Sequence, residues 1–146
     1  MLQTLFSRLA MRGAPFTGAH LPNPDHLPHL VEPRARGLIA ALEGYGGDVF
    51  ASCAGHGRMG GVPYWPHFAF LLDPARARVL AERLHDHPAL AYRWSLAGHF
   101  MPRFGFDLGI ALSISDRQKF DLGCVNADLR RLAGAIQAMG AGGERV

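Results

Sequence analysis

Three segments of the chain carry apolar residues at the three-and-four-residue spacing of an amphipathic helix. Pro33 suits the first turn of the first segment, and Asp73 before Pro74 is a start signal for the second, because the aspartate can cap free amides. In the third segment Asn126 is a candidate cap. The apolar faces of the three predicted helices are formed by Leu38, Ile39 and Leu42, by Val79, Leu80 and Leu84, and by Val125, Leu129, Leu132, Ile136 and Met139.

Four shorter segments predict strands. Residues 48–54 and 67–72 are short apolar runs on either side of a glycine-rich stretch, which is typical of mostly buried strands. Residues 90–98 and 103–113 alternate large apolar positions with small or polar ones, and a short connection containing glycine and proline separates them. This period of two predicts an antiparallel hairpin with one packed face and one partly polar face.

The order of the predicted elements is helix, strand, strand, helix, strand, strand, helix, which favours an α+β two-layer domain. Helices would cover one face of a four-stranded, largely antiparallel sheet. Arg93, Ser95 and Asp107 alternate with the large apolar residues, so we expect them on the uncovered face, where a partner or a ligand would bind. The predicted organisation is an N-terminal helix and Pro/His/Gly-rich arm at 1–32, a single domain at 33–140 and a tail at 141–146.

Composition places the chain among globular cytoplasmic proteins. Apolar residues make up 49% and charged residues 18% of the 146 positions. No apolar run reaches the roughly 20 residues that span a bilayer, and the opening residues lack the features of a signal peptide. In such a protein we expect Cys53 and Cys124 to be free thiols. The net charge of +3 is spread along the chain, which is a weak footprint for nucleic-acid binding.

The stretch FASCAGHGRMGGVPYWPHFAF, at residues 50–70, carries the main candidates for chemistry. Cys53 and His56 stand three residues apart at a predicted strand end, where a turn can bring a thiolate and an imidazole onto one zinc ion. A structural zinc site needs four ligands. The further ligands would have to come from His26, His29, His67 or His99.

The same stretch supports two other kinds of site. Cys53 could act as a nucleophile with His56 as its base, and Arg58 would lower the pKa of the thiol. Alternatively, Gly55 and the glycines that follow could form a backbone cradle for an anion, with Arg58 beside it. Without either activity, Cys53 is a small residue that ends a strand and the glycine-rich stretch is a hairpin turn.

The run DVFASCAGHGR also resembles the Ser-Cys-x-Gly-[His/Arg] strand and loop of the wybutosine-synthesis methyltransferase family. The matching positions are Ser52, Cys53, Gly55 and His56. The resemblance implies an S-adenosylmethionine-dependent enzyme that acts on a modified tRNA base. The same loop, followed by PYWPHFAF, is similar to small uncharacterised proteins of proteobacterial mobile elements, and that resemblance implies no particular activity.

Because no complete catalytic set is visible, the leading interpretation is a small cytoplasmic binding or regulatory protein, such as an accessory factor of a mobile element. It would contact a protein or a nucleic acid through the uncovered sheet face and the glycine-rich loop. Tyr64 and Trp65 would stack on a base or a partner, or would instead cover the core. The alternatives are an enzyme centred on Cys53 and His56, using S-adenosylmethionine or thiol chemistry, and a zinc-stabilised domain. The binding residues of the leading interpretation are Ser52, Gly55, Arg58, Tyr64, Trp65, Arg93 and Asp107.

Overall fold

The computed structural model of the protein describes residues 32–59 and 62–143. The predictions for the N-terminal helix, for nearly all of the arm and for the last three residues lie outside these ranges. The elements are α1 (Pro33–Gly44), β1 (Asp48–Cys53), β2 (His56–Met59), β3 (Val62–Tyr64), β4 (His67–Leu71), α2 (Pro74–Leu84), β5 (Trp94–Met101), a 3₁₀ turn (Pro102–Phe104), β6 (Asp107–Ile114) and α3 (Leu122–Gly143).

The main sheet has four strands in the order β1-β4-β6-β5, and every neighbouring pair is antiparallel. The glycine-rich stretch between β1 and β4 forms a separate two-stranded sheet of β2 and β3. The predicted α+β class with a four-stranded antiparallel sheet is therefore confirmed. Among the described residues, none of the helices has the length and apolar character needed to cross a bilayer.

All three helices pack on the same face of the main sheet, because their apolar residues join those of alternate strand positions in one buried cluster. The strands contribute Val49, Phe68, Phe70, Trp94, Ile110, Leu112 and Ile114 to this cluster. On the opposite face, the pairing register aligns a row of four alanines across the four strands, namely Ala51, Ala69, Ala111 and Ala97. This face therefore presents small side chains in its middle, whereas Leu71 and Met101 are buried on it towards the β5–β6 turn.

The turn between β5 and β6 lies further along the chain than the alternating pattern of residues predicts. β5 begins at Trp94 and runs through the predicted connection to Met101. The chain then turns through Gly105 and Phe106, which both have a positive φ, of 66° and 62°. Phe104 is fully buried, and its ring lies 5.2 Å from that of Phe50. The alternating pattern of residues 103–106 therefore belongs to the turn, not to the strand.

Two helices begin at aspartates. The Asp73 carboxylate accepts the backbone N–H of Arg76 at 3.2 Å, which confirms the predicted start of α2. At the start of α3, the Asp121 carboxylate accepts the N–H of Cys124 at 2.9 Å. The prediction of Asn126 as the cap is therefore wrong, since Asn126 lies inside α3.

Candidate metal-binding site

Three side chains with metal-binding atoms lie close together where Glu32, the residue before α1, contacts the turn that follows β1. Glu32 Oε1 lies 3.1 Å from His56 Nε2. One ligand atom from each of Glu32, Cys53 and His56 lies within 4.8 Å of the other two, and all three residues are half-buried. The predicted pair of Cys53 and His56 is thus brought together, and a carboxylate completes it from 24 positions before the histidine.

The turn between Cys53 and His56 has a conformation that glycine favours. Gly55 has a φ of 84°, and a Cβ atom there would lie 3.0 Å from Cδ of Pro66. Its backbone N–H donates a hydrogen bond to the sulfur of Cys53. Burial raises the pKa of the Cys53 thiol, and the hydrogen bond from Gly55 only partly offsets this effect. The thiol is therefore held in place but is not activated by these contacts.

Arg34 fastens the turn to the helical layer. Its guanidinium donates to the carbonyl oxygens of Ala54, at 3.3 Å, and of Gly55, and to the side-chain oxygen of Asn126 in α3, at 2.7 Å. It also lies 3.5 Å from Glu32 Oε2, the carboxylate oxygen that His56 does not contact. Arg34 thus fixes both the carboxylate and the backbone that carries the cysteine.

The remaining predicted site residues lie elsewhere. Ser52 pairs with the buried Phe68, so it belongs to the helix-covered face. Arg93 forms an exposed ion pair with Asp86 at 3.4 Å. Asp107 pairs with Met101 at one end of the β5–β6 ladder, and Arg93 lies just beyond the other end, eight residues before Met101. The two residues are therefore about 26 Å apart along the strand. The structure does not gather them into one site.

The other predicted contributors, Arg58 and four histidines, do not add to the cluster within the described residues. The Arg58 side chain lies outside the described part of the chain, as do His26 and His29. His67 pairs with Cys53 across the strands but is not part of the three-residue cluster, and His99 pairs with Gly109 in the β5–β6 ladder. None of these histidines is therefore a fourth member of the cluster in the described residues.

The two aromatic residues of the loop have different surroundings. The Tyr64 ring is 56% exposed and stands edge-on to His56, with ring centroids 6.5 Å apart. Trp65 packs edge-on against Tyr92 and Phe120, at 5.7 and 5.2 Å, and so covers part of the core. Trp65 also lines a cleft of about 560 Å³ between the β2–β3 hairpin and the segment before α3.

Sequence reasoning missed Glu32, Arg34 and Asn126. Glu32 and Arg34 flank the proline that starts α1 and carry no motif of their own. Only the packing of α1 beside β1 and α3 brings them to the turn. Cys53 and His56 are recognisable because they stand three residues apart, whereas Glu32 and Arg34 lie about 20 positions before them and share no spacing pattern with them.

Comparisons of the chain with protein-family models, with curated proteins and with solved structures give no match. The resemblances of the Ser-Cys-x-Gly-His loop therefore stay predictions.

Proposed function

We propose that the protein binds a divalent transition metal, zinc above all, through Glu32, Cys53 and His56. The observation that carries this proposal is the approach of the three ligand atoms to within 4.8 Å of one another. Zinc bonds of about 2.0–2.3 Å place tetrahedral ligand atoms about 3.3–3.7 Å apart. Small rotations of the three side chains would bring them to that spacing.

The chemistry of the ligand atoms favours zinc over magnesium or calcium. Thiolate and imidazole are ligands of borderline and soft metals, whereas magnesium and calcium take oxygen ligands almost alone. A bound metal would remove the proton of Cys53, and the Gly55 N–H already points at the sulfur that would become negative. Arg34 contacts Oε2 of Glu32 and so holds the carboxylate, whose Oε1 faces His56 Nε2 and accepts the Ala54 N–H at 3.4 Å. A bound metal would replace the direct contact between Oε1 and Nε2.

Three protein ligands leave a fourth coordination position for water or a substrate. This arrangement is typical of catalytic zinc sites, while structural sites use four protein ligands. The proposal keeps the Cys53 and His56 ligands of the predicted zinc-stabilised domain but supplies only three protein ligands, and it differs from the predicted enzyme, which would use S-adenosylmethionine or thiol chemistry. Thiol chemistry without a metal has less support, because burial raises the pKa of Cys53.

A Co²⁺ titration of the metal-free protein tests the proposal. Tetrahedral cobalt bound to a thiolate has a charge-transfer band in the near ultraviolet and intense visible bands, so we expect both at one equivalent. Cys53→Ser should abolish the charge-transfer band, and Glu32→Gln and His56→Ala should weaken binding at least tenfold. Cys124→Ser is the matched control, since Cys124 lies outside the cluster. No bands in the wild type, or bands unchanged in Cys53→Ser, would overturn the proposal.

A second candidate function, binding of a nucleic acid, is favoured by the cleft beside Trp65. Its wall carries Arg117 and Lys119 together with the aromatic rings of Trp65 and Phe120, and no acidic residue lines it. Aromatic rings next to cations suit stacked bases and phosphates. This candidate keeps the nucleic-acid partner of the leading interpretation from the sequence, but the binding surface is the cleft and not the uncovered sheet face.

Fluorescence anisotropy with a labelled single-stranded oligonucleotide tests this candidate. The double variant Arg117→Glu and Lys119→Glu should lose binding, and the salt dependence of wild-type binding should be steep. Arg78→Glu and Arg130→Glu, at exposed positions of α2 and α3, form a charge-matched control. Equal binding by both double variants would exclude the cleft.

A further inference from the structure

The two edges of the main sheet differ in how they are protected. β1, at one edge, contains a bulge between Val49 and Ala51, and its end is tied to Glu32. β5, at the other edge, pairs with β6 without interruption from Trp94 to Met101. Its sequence, WSLAGHFM, has no proline and no acidic or basic residue apart from a histidine. Bulges, prolines and lysines are the usual protection of edge strands against pairing with another chain. β5 has none of them.

The exposed stretch of β5 also carries apolar surface. Residues 97–100 are all exposed, and Phe100 is 65% exposed. Phe106, in the turn that follows, is 67% exposed. Two phenylalanines exposed at one hairpin are typical of a surface that another protein covers.

We propose that β5 is the interface between two copies of this chain. The two β5 strands would pair antiparallel about a twofold axis, and the two four-stranded sheets would become one of eight strands. This proposal goes beyond metal binding and rests on none of its residues.

The pattern of side chains selects a register for this pairing. A twofold axis at Gly98 keeps the helix-covered faces of the two sheets on the same side. Leu96 would then lie opposite the partner subunit's Phe100, and Phe100 opposite the partner subunit's Leu96. On the other face, Ala97 would lie opposite the partner subunit's His99. Gly98 has no side chain at the axis, where two backbones approach closely.

The charges on β5 allow two copies of this strand to pair. No acidic or basic side chain other than His99 lies on β5, so like charges do not meet at the axis. In an isologous contact of this kind the two β5 edges pair with each other, so neither is left free to bind a third chain. The expected product is therefore a dimer and not a fibre.

Light scattering coupled to size-exclusion chromatography of the full chain tests the proposal. We expect twice the chain mass of 15.9 kDa for the wild type and one chain mass for Phe100→Lys. Val62→Lys is the matched control, because Val62 is 67% exposed on β3, in the separate two-stranded sheet, and this variant should stay dimeric. A monomeric wild type at every concentration, or a dimeric Phe100→Lys, would overturn the proposal.

Hydrogen exchange of the wild-type protein gives a second measurement, which does not require any variant to fold. Amides of residues 94–101 should gain protection as the wild-type concentration rises, whereas amides of β1 should not. Equal exchange of the β5 amides at low and high concentration would contradict pairing through this edge.

Discussion

The carboxylate of Asp128 accepts the indole N–H of Trp94 at 2.9 Å, and both side chains are buried. The same carboxylate accepts the backbone N–H groups of Ala91, at 2.7 Å, and Tyr92, at 2.9 Å. A buried carboxylate is stable only with such partners. Asp128 therefore ties α3 to the segment that leads into β5 and fixes where this strand begins.

Asp128→Ala should destabilise the protein by about 3 kcal/mol or more, because it leaves three donors without their acceptor. Urea denaturation would measure the loss. The control is Glu82→Ala, which removes only an exposed ion pair with Arg78 and should change the free energy of unfolding by about 0.5 kcal/mol or less. Equal stability of the two variants would show that the Asp128 hydrogen bonds contribute little.

Gly55→Ala should destabilise the protein by about 1–2 kcal/mol and should also weaken cobalt binding. The alanine would be strained at a φ of 84° and would press against Pro66. Gly57→Ala is the matched control two residues further on, where a Cβ meets nothing within 4 Å. Thermal melts and the cobalt titration of both variants check this prediction, and it fails if the two behave alike.

Zinc should raise the melting temperature of the wild type, and a chelator should reverse the rise. A ligand that binds only the folded state at 100 times its Kd stabilises it by about 2.7 kcal/mol. His56→Ala should show no rise, whereas His87→Ala, at a histidine outside the cluster, should respond like the wild type. A rise of equal size in His56→Ala would place the metal elsewhere.

Stability should depend on pH through Asp121. The Cys124 N–H bonded to its carboxylate lowers the pKa of Asp121 below the ordinary 3.8. A lowered pKa stabilises the fold at higher pH, and this contribution is lost as the pH falls through the folded-state pKa. Asp121→Asn should therefore be less stable than the wild type at neutral pH, and the difference should shrink in acid. Denaturation curves across this pH range check the prediction, and a constant difference would contradict it.

The sequence predicts the elements whose signals are local. β1 and β4 match their predicted bounds to within one residue, because buried apolar runs between turns need no distant information. Asp73 marks the start of α2 correctly for the same reason. Residues 90–93 continue the alternating pattern of β5, yet they lie outside the strand, and the N–H groups of Ala91 and Tyr92 are bonded to Asp128, more than 30 positions away. No local pattern contains that contact.

The candidate site divides in the same way. Cys53 and His56 are close in sequence, and the turn that joins them is encoded between them by Gly55. Glu32 and Arg34 depend on where α1 packs, which only the whole fold determines. The sequence therefore predicts two of the three residues in the ligand cluster and none of the residues that orient it.

The hydrogen bonds of Arg34 also predict an order of folding events. This side chain joins the turn at Ala54 to Asn126, a residue 92 positions further along the chain than Arg34. Contacts of such sequence separation are costly in loop-closure entropy, so we expect them to form after the local turn between Cys53 and His56. The support that Arg34 gives to this turn would then be in place only once α3 has docked. A metal held by the supported turn would be loaded into a folded domain, in contrast to zinc fingers, which are unfolded without metal.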